Sequence, residues 1–190
     1  MRPGVYKGLT YDENGMVVNS LFSDIAAGIL SPEGEPQRLL YKDEACVIFM
    51  ARRGESRTHL LVVPHRPVKS WVELVKEGLG APAPLPELRG RQLLQHMEAV
   101  GRVYISKEGP DAEYRIDPAH VQMGFHSPPY NSIDHLHLHI LDRSKMHPQL
   151  RAYAKFPLSV STPWYRPLSD VYRAFEKGVG EIIPPNPNRT

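Results

Sequence analysis

The stretch His135-Leu136-His137-Leu138-His139-Ile140-Leu141 alternates imidazoles with branched aliphatic side chains. An extended strand sends successive side chains to opposite faces, so a period of two puts all three imidazoles on one face and both leucines on the other. The leucine face anchors such a strand in a core and thereby holds the histidine face rigid. Three groups that titrate near neutral pH in one row are costly unless the chain uses them. A surface strand that happens to be rich in histidine is the plain alternative.

Two chemistries fit the row. Neutral imidazoles are common zinc ligands, and His-x-His on a strand supplies two of them. All three on one ion is strained, because at about 3.3 Å per residue the outer Cα atoms lie roughly 13 Å apart. Two strand ligands with a third from His59, His65 or His126 is the metal alternative that stays open. A phosphate is a larger target. A neutral middle histidine attacks phosphorus through one ring nitrogen while a hydrogen bond at the other fixes its tautomer. An outer histidine then stabilises charge on the non-bridging oxygens or carries the leaving-group proton. That route needs neither metal nor cofactor.

The remainder of the chain reads as one α+β domain with a mainly antiparallel sheet and helices to one side. At 190 residues it is long enough to bury a real core. Residues 1–19 show no clear periodicity and are expected to be irregular. Ser20 to Ile29 predicts a short helix with Leu21, Phe22, Ile25 and Ala26 on one face. Strands are expected at Arg38–Lys42, Ala45–Met50, Thr58–Val63, Ala119–Phe125 and His135–Leu141, with Lys42-Asp43-Glu44 as a hairpin turn. Val68–Lys76 predicts a short helix. Leu93, Leu94, Met97, Val100 and Tyr104 give Arg91–Ser106 a clear apolar stripe. A last helix is expected over Leu168–Lys177, capped by Ser169 or Asp170. The domain thus spans residues 20–178, and 179–190, with three prolines, reads as a flexible tail.

The net charge of +2 shows no basic stripe, so nucleic acid is not an expected partner. No run approaches the roughly 18 to 20 apolar residues of a membrane span, and the N-terminus lacks a signal-peptide core. The single cysteine, Cys46, sits in an apolar run and reads as a buried, inert thiol. A cytoplasmic and also nuclear location is the expectation.

The triplet at 135–141 resembles the signature of the histidine triad (HIT) family. The segment Gly124-Phe125-His126-Ser127-Pro128-Pro129-Tyr130-Asn131-Ser132-Ile133 leads into it as in the Hint branch. Thr58-His59-Leu60-Leu61-Val62-Val63-Pro64 is similar to the family's strand before its short helix, with Phe49 ten residues ahead of His59. The likeness is strongest to the type-three histidine triad nucleotide-binding proteins, with aprataxin more distant. The resemblance implies a five-stranded antiparallel sheet with helices, usually paired into a homodimer, and hydrolysis at the α-phosphate of a purine nucleotide resembling AMP. By position His137 matches the nucleophile and His139 the contact to the α-phosphate. His135 matches the partner that organises the middle ring, and His59 the supporting histidine. Ser132, with its neighbour Asn131, matches the hydroxyl near the phosphate, and Leu21, Phe22, Ile25 and Phe49 line the base pocket by analogy. Ordinary core packing and strand-end support are the plain readings of those residues. The resemblance also admits dinucleoside polyphosphates or adenylated nucleic-acid ends as substrates, and a nucleotide-binding scaffold without catalysis.

Departures from the pattern are specific. Ala51 stands where the family usually has the aspartate that holds the ribose hydroxyls, and Pro67 stands where it has a histidine. His65 either replaces that histidine or is simply exposed. Ser20-Leu21-Phe22-Ser23 occupies the place of a Cys-x-x-Cys zinc half-site in some relatives, and serines are poor zinc ligands. Trp164 either reaches a partner subunit's site or packs locally.

Overall fold

A computed structural model describes residues 4–6, 9–11, 17–27, 38–52, 54–79, 83–147 and 162–182. Its centre is a six-stranded sheet in the order β4-β5-β6-β8-β7-β9, with every neighbouring pair antiparallel. The strands are β4 (Leu39–Lys42), β5 (Cys46–Met50), β6 (His59–Pro64), β7 (Val121–His126), β8 (Leu138–Asp142) and β9 (Tyr165–Pro167). The sheet has one strand more than the family's usual five. β9 is only three residues long and contains Pro167, too short a run to show a period of two.

β4 and β5 meet at the expected turn. Asp43 makes it, because its Oδ1 accepts the backbone N–H groups of Ala45 and Cys46, each at 2.7 Å. Burial and the neighbouring Asp43 carboxylate push the Cys46 thiol well above its usual pKa, so it stays protonated. The helices are α1 (Leu21–Ala26), α2 (Trp71–Lys76), α3 (Gly90–Ile105), α4 (Leu168–Lys177) and α5 (Val179–Ile182).

The sheet's two faces carry separate apolar clusters. On one, Cys46, Ile48, Leu60, Val62, Met123, Phe125, Leu138 and Ile140 pack against Trp71 and Leu74 of α2, Leu93, Leu94 and Met97 of α3, and Val171 and Ala174 of α4. Gly101 lets α3 lie close, since a Cβ there would press on Ile140 Cδ1. The other face carries Val47, Phe49, Leu61 and Val63 beneath Phe22 and Ile25 of α1. The imidazoles lie on this second face, because His139 stands opposite Leu61 and His59 opposite Leu141.

Several sequence expectations change. The helices do not all lie to one side of the sheet, because α1 covers the face opposite α2, α3 and α4. Within residues 1–19, β1 (Gly4–Tyr6), β2 (Leu9–Tyr11) and β3 (Val17–Ser20) form a separate antiparallel sheet rather than irregular chain. Each run is three or four residues, too brief for alternation to stand out beside the glycines and asparagines around it. The last helix has no side-chain cap: it leaves β9 directly after Pro167, which places Ser169 and Asp170 inside its first turn. Asp170 still faces the positive helix end and pairs with Arg173 at 3.0 Å. The stretch expected as a flexible tail begins with α5, while residues 183–190 lie outside the described residues. None of the helices among the described residues is long and apolar enough to cross a membrane.

Candidate active site

The row of histidines alternates as expected, but the hydrogen-bonded strand begins only at Leu138. Residues 135–137 form its approach, held instead by Leu136 N–H donating to the Val68 carbonyl at 2.6 Å. Leu136, Leu138 and Ile140 all enter the core beneath the helices. That anchorage fixes His135, His137 and His139 on the opposite side, and all three are buried.

Their surroundings give them different tasks. His135 is fully buried, with Nδ1 2.5 Å from Ser20 Oγ and Nε2 2.9 Å from the Pro64 carbonyl. Both ring nitrogens are engaged by the protein, so this ring positions its neighbours and does not face a substrate. His137 Nδ1 donates to the His135 carbonyl at 2.6 Å, which leaves Nε2 as the atom with a lone pair for chemistry. Burial pulls the pKa of His135 and of His137 down to about 4, and for His137 the nearby His59 adds to the shift. Burial pulls His139 down as well, reinforced by His137, His126 and His59. All three rings are therefore neutral at pH 7.

His139 Nδ1 meets His59 Nε2 at 2.8 Å. The other nitrogen of His59 lies 3.2 Å from the Glu55 backbone N–H and 3.1 Å from Glu55 Oε2. The amide serves the tautomer that accepts at Nδ1, and the carboxylate serves the tautomer that donates there. Glu55, His59 and His139 thus form a chain that can settle a proton on either side.

The apolar residues assigned to a base pocket come together beside this chain. The Phe22 ring makes edge contacts with Phe49 at 5.5 Å and His137 at 5.2 Å, and lies 5.8 Å from His135. Ile25 is buried in the same cluster, and Leu21 and Ala51 pack at its margin. Ala51 is thus part of the apolar wall. Asn131 is buried beside His126 and His137, but its amide donates to Ile133 O and Asp134 Oδ1 and so shapes the loop. Ser132 is exposed on that loop. His65 stands apart: half-buried, it donates Nε2–H to the Asp43 carbonyl at 2.8 Å and braces the β4–β5 turn. Trp164 is exposed and meets Tyr130 edge-on at 6.4 Å.

Two residues belong here that the triplet alone does not single out. His126, at the end of β7, brings its ring 4.5 Å from that of His139. In the sequence it stands in the segment leading to the triplet and as one of three histidines offered as a third metal ligand. Ser20 is the N-cap of α1, accepting the Phe22 N–H at 3.2 Å, while the same hydroxyl meets His135. Ser20→Ala should therefore remove a cap and a buried partner together, lowering stability by about 1–2 kcal/mol in urea unfolding. An unchanged unfolding midpoint would show that the hydroxyl supports neither.

A family profile described as "Scavenger mRNA decapping enzyme C-term binding" matches residues 25–153. The bifunctional adenosine 5'-phosphosulfate phosphorylase/adenylylsulfatase HINT4 of Arabidopsis thaliana is 31% identical over 102 residues, 54% of this chain and 58% of that protein. The adenosine 5'-monophosphoramidase HINT3 of Mus musculus is 29% identical over 141 residues, 73% of this chain and 69% of that protein. Aprataxin of Gallus gallus is 30% identical over 124 residues, 65% of this chain and 33% of that protein. The chain therefore spans little more than half of the HINT4 relative and a third of aprataxin. The matched stretch contains the whole imidazole cluster and the strands that carry it: this chain belongs to the histidine triad family.

Proposed function

We propose that this protein is a nucleotide hydrolase that cleaves at the α-phosphate of an AMP-like phosphoramidate or acyl-adenylate through a covalent nucleotidyl-His137. The observation that carries the reading is His137 itself, a neutral imidazole whose Nδ1 is tied to a carbonyl and whose Nε2 remains for attack. Relatives named adenosine 5'-monophosphoramidase and adenylylsulfatase support the substrate class. In the first step Nε2 bonds phosphorus while the bond from phosphorus to the leaving group breaks, and the departing amine takes a proton from solvent relayed along Glu55, His59 and His139, each ring passing one proton on as it receives another. Water then attacks the same phosphorus, the P–N bond to His137 breaks, and AMP leaves with the ring restored. Phe22 and Ile25 supply the apolar wall for the base. Ala51 offers the ribose no carboxylate, so nucleoside preference is loose. The reading includes a homodimer, as the family resemblance implies.

The test is incubation with an AMP phosphoramidate of tryptamine, followed by rapid acid-free quenching and peptide mass spectrometry. AMP release and an AMP adduct on the peptide containing His137 are expected. Binding of AMP with neither product nor adduct would leave a nucleotide-binding protein without catalysis.

The pH profile offers a separate check. Attack needs neutral His137, and burial lowers its pKa from 6.5 to about 4. The acid limb of kcat/KM should therefore have its midpoint near 4, with rates level between pH 8 and 5. A limb centred near 6.5 would contradict the buried, neutral nucleophile. The same shift makes acid destabilise the fold. The unfolded chain takes up protons at these histidines first, so stability is whole above pH 6.5 and falls as pH drops towards 4.

A further inference from the structure

We propose that a cleft at the edge of the central sheet, where α3, β7 and the first turn of α4 meet, is a second binding site, separate from the histidine pocket, for a small phosphate monoester such as a sugar phosphate. The cleft exists because β9 is short. β9 pairs only with Gly124, Phe125 and His126, so Val121, Gln122 and Met123 have β8 on one side and no described strand on the other. A space of about 300 Å³ opens there, lined among others by Arg102, Arg143, Gln122, Tyr165, Leu168 and Ser169. That volume is at the small end of the range for ligand sites.

Two guanidinium groups line this one space, and the acids beside them are engaged elsewhere. Glu98 accepts Arg102 Nε–H at 2.7 Å through Oε1 and the Tyr172 hydroxyl at 2.6 Å through Oε2. Arg102 spends one donor on that bond, and its two terminal amino groups remain for an anion. Asp142 accepts from the Ser144 amide and hydroxyl and pairs with Lys145 at 3.1 Å. Arg143 Nε is buried with no hydrogen-bond partner among the described residues. A donor kept from water without an acceptor is costly, and a phosphate oxygen supplies the acceptor. The planar fork of a guanidinium matches phosphate geometry. Burial pushes the Tyr165 phenol well above its usual pKa, so it adds no opposing charge. The Gln122 amide and the Ser169 hydroxyl suit a polar, hydroxyl-bearing body on the phosphate.

The cleft backs on to the histidine pocket without sharing a histidine. Tyr165 lines it, and the same ring meets that of His126 edge-on at 6.3 Å. Gln122 stands two residues along β7 from Gly124, the register partner of His139. Nothing in the proposal depends on His137 acting as nucleophile.

The full-length chain, labelled with nitrogen-15, should be titrated with ribose 5-phosphate at constant ionic strength, so that screening does not imitate binding. The amides of Val121, Gln122 and Ser169 are expected to shift and to saturate in the millimolar range or below. Arg143→Gln should weaken this binding about tenfold or more, the size of one lost charge-assisted hydrogen bond. Arg102→Gln, on the exposed side of α3, gives the same test should Arg143→Gln fail to fold by circular dichroism. Arg173→Gln removes the same charge from α4 outside the cleft and should leave binding unchanged. Ribose without phosphate should move none of these amides, and inorganic phosphate should bind more weakly than the ester. Shifts confined to the amides around Phe22 and His137, or an equal loss through Arg173→Gln, overturn the site. Inorganic phosphate binding as tightly as ribose 5-phosphate overturns the monoester in favour of the bare anion.

Discussion

Replacing His137 with asparagine is expected to lower kcat by about four orders of magnitude or more while leaving AMP affinity within a few-fold. A loss of that size is about 5.5 kcal/mol of transition-state stabilisation. It is the signature of an interaction made only as the bond to phosphorus forms. The fold should tolerate the change, because His137 Nδ1 donates to the carbonyl of His135, and an asparagine amide can satisfy that acceptor. His135→Asn should behave differently. That ring joins Ser20 to the Pro64 carbonyl in a fully buried position, so its loss should appear in stability as well as rate. Single-turnover kinetics with an AMP phosphoramidate, together with isothermal titration with AMP, separates the two. His137→Asn retaining a tenth of wild-type kcat would refute the covalent role.

Gly124→Ala is expected to destabilise the protein by about 3 kcal/mol, or roughly 6–12 °C in thermal midpoint. A Cβ at this position would collide with the Arg166 backbone carbonyl and the Tyr165 hydroxyl. The carbonyl cannot swing away as a side chain can, because Gly124 and Pro167 are register partners between β7 and β9. Relief requires β9 to shift, and Gly124 is also opposite His139 across β8. The variant should therefore lose activity beyond what its unfolded fraction explains. A melting curve that overlays the wild type would show that β9 gives way freely.

Sequence alone locates the histidine row and its partition because burial enforces it: a shift by one residue would turn Leu136 and Leu138 out of the core. The β4–β5 turn and the stripe of α3 are legible for the same reason, each pattern being local and physically costly to break. What the sequence conceals is long-range. Ser20 reads as a serine in place of a cysteine, and only folding brings it to His135, 115 residues away. His126 reads as one of three interchangeable histidines that could join the row, and pairing of β7 with β8 is what sets it against His139. The base-pocket residues are visible as apolar, but nothing local distinguishes packing from binding at Phe22 or Phe49. β9 escapes notice because a three-residue edge strand carries too few alternations to detect.

The hydroxyl of Ser20 ties the first turn of α1 to the ring of His135, and the carbonyl of His135 in turn aligns His137. Pressure on α1 is thereby relayed to the ring of His137 through three hydrogen bonds. A ligand that seats poorly under α1 would consequently be hydrolysed slowly even when it is held firmly, so discrimination among nucleosides should register in turnover more than in affinity.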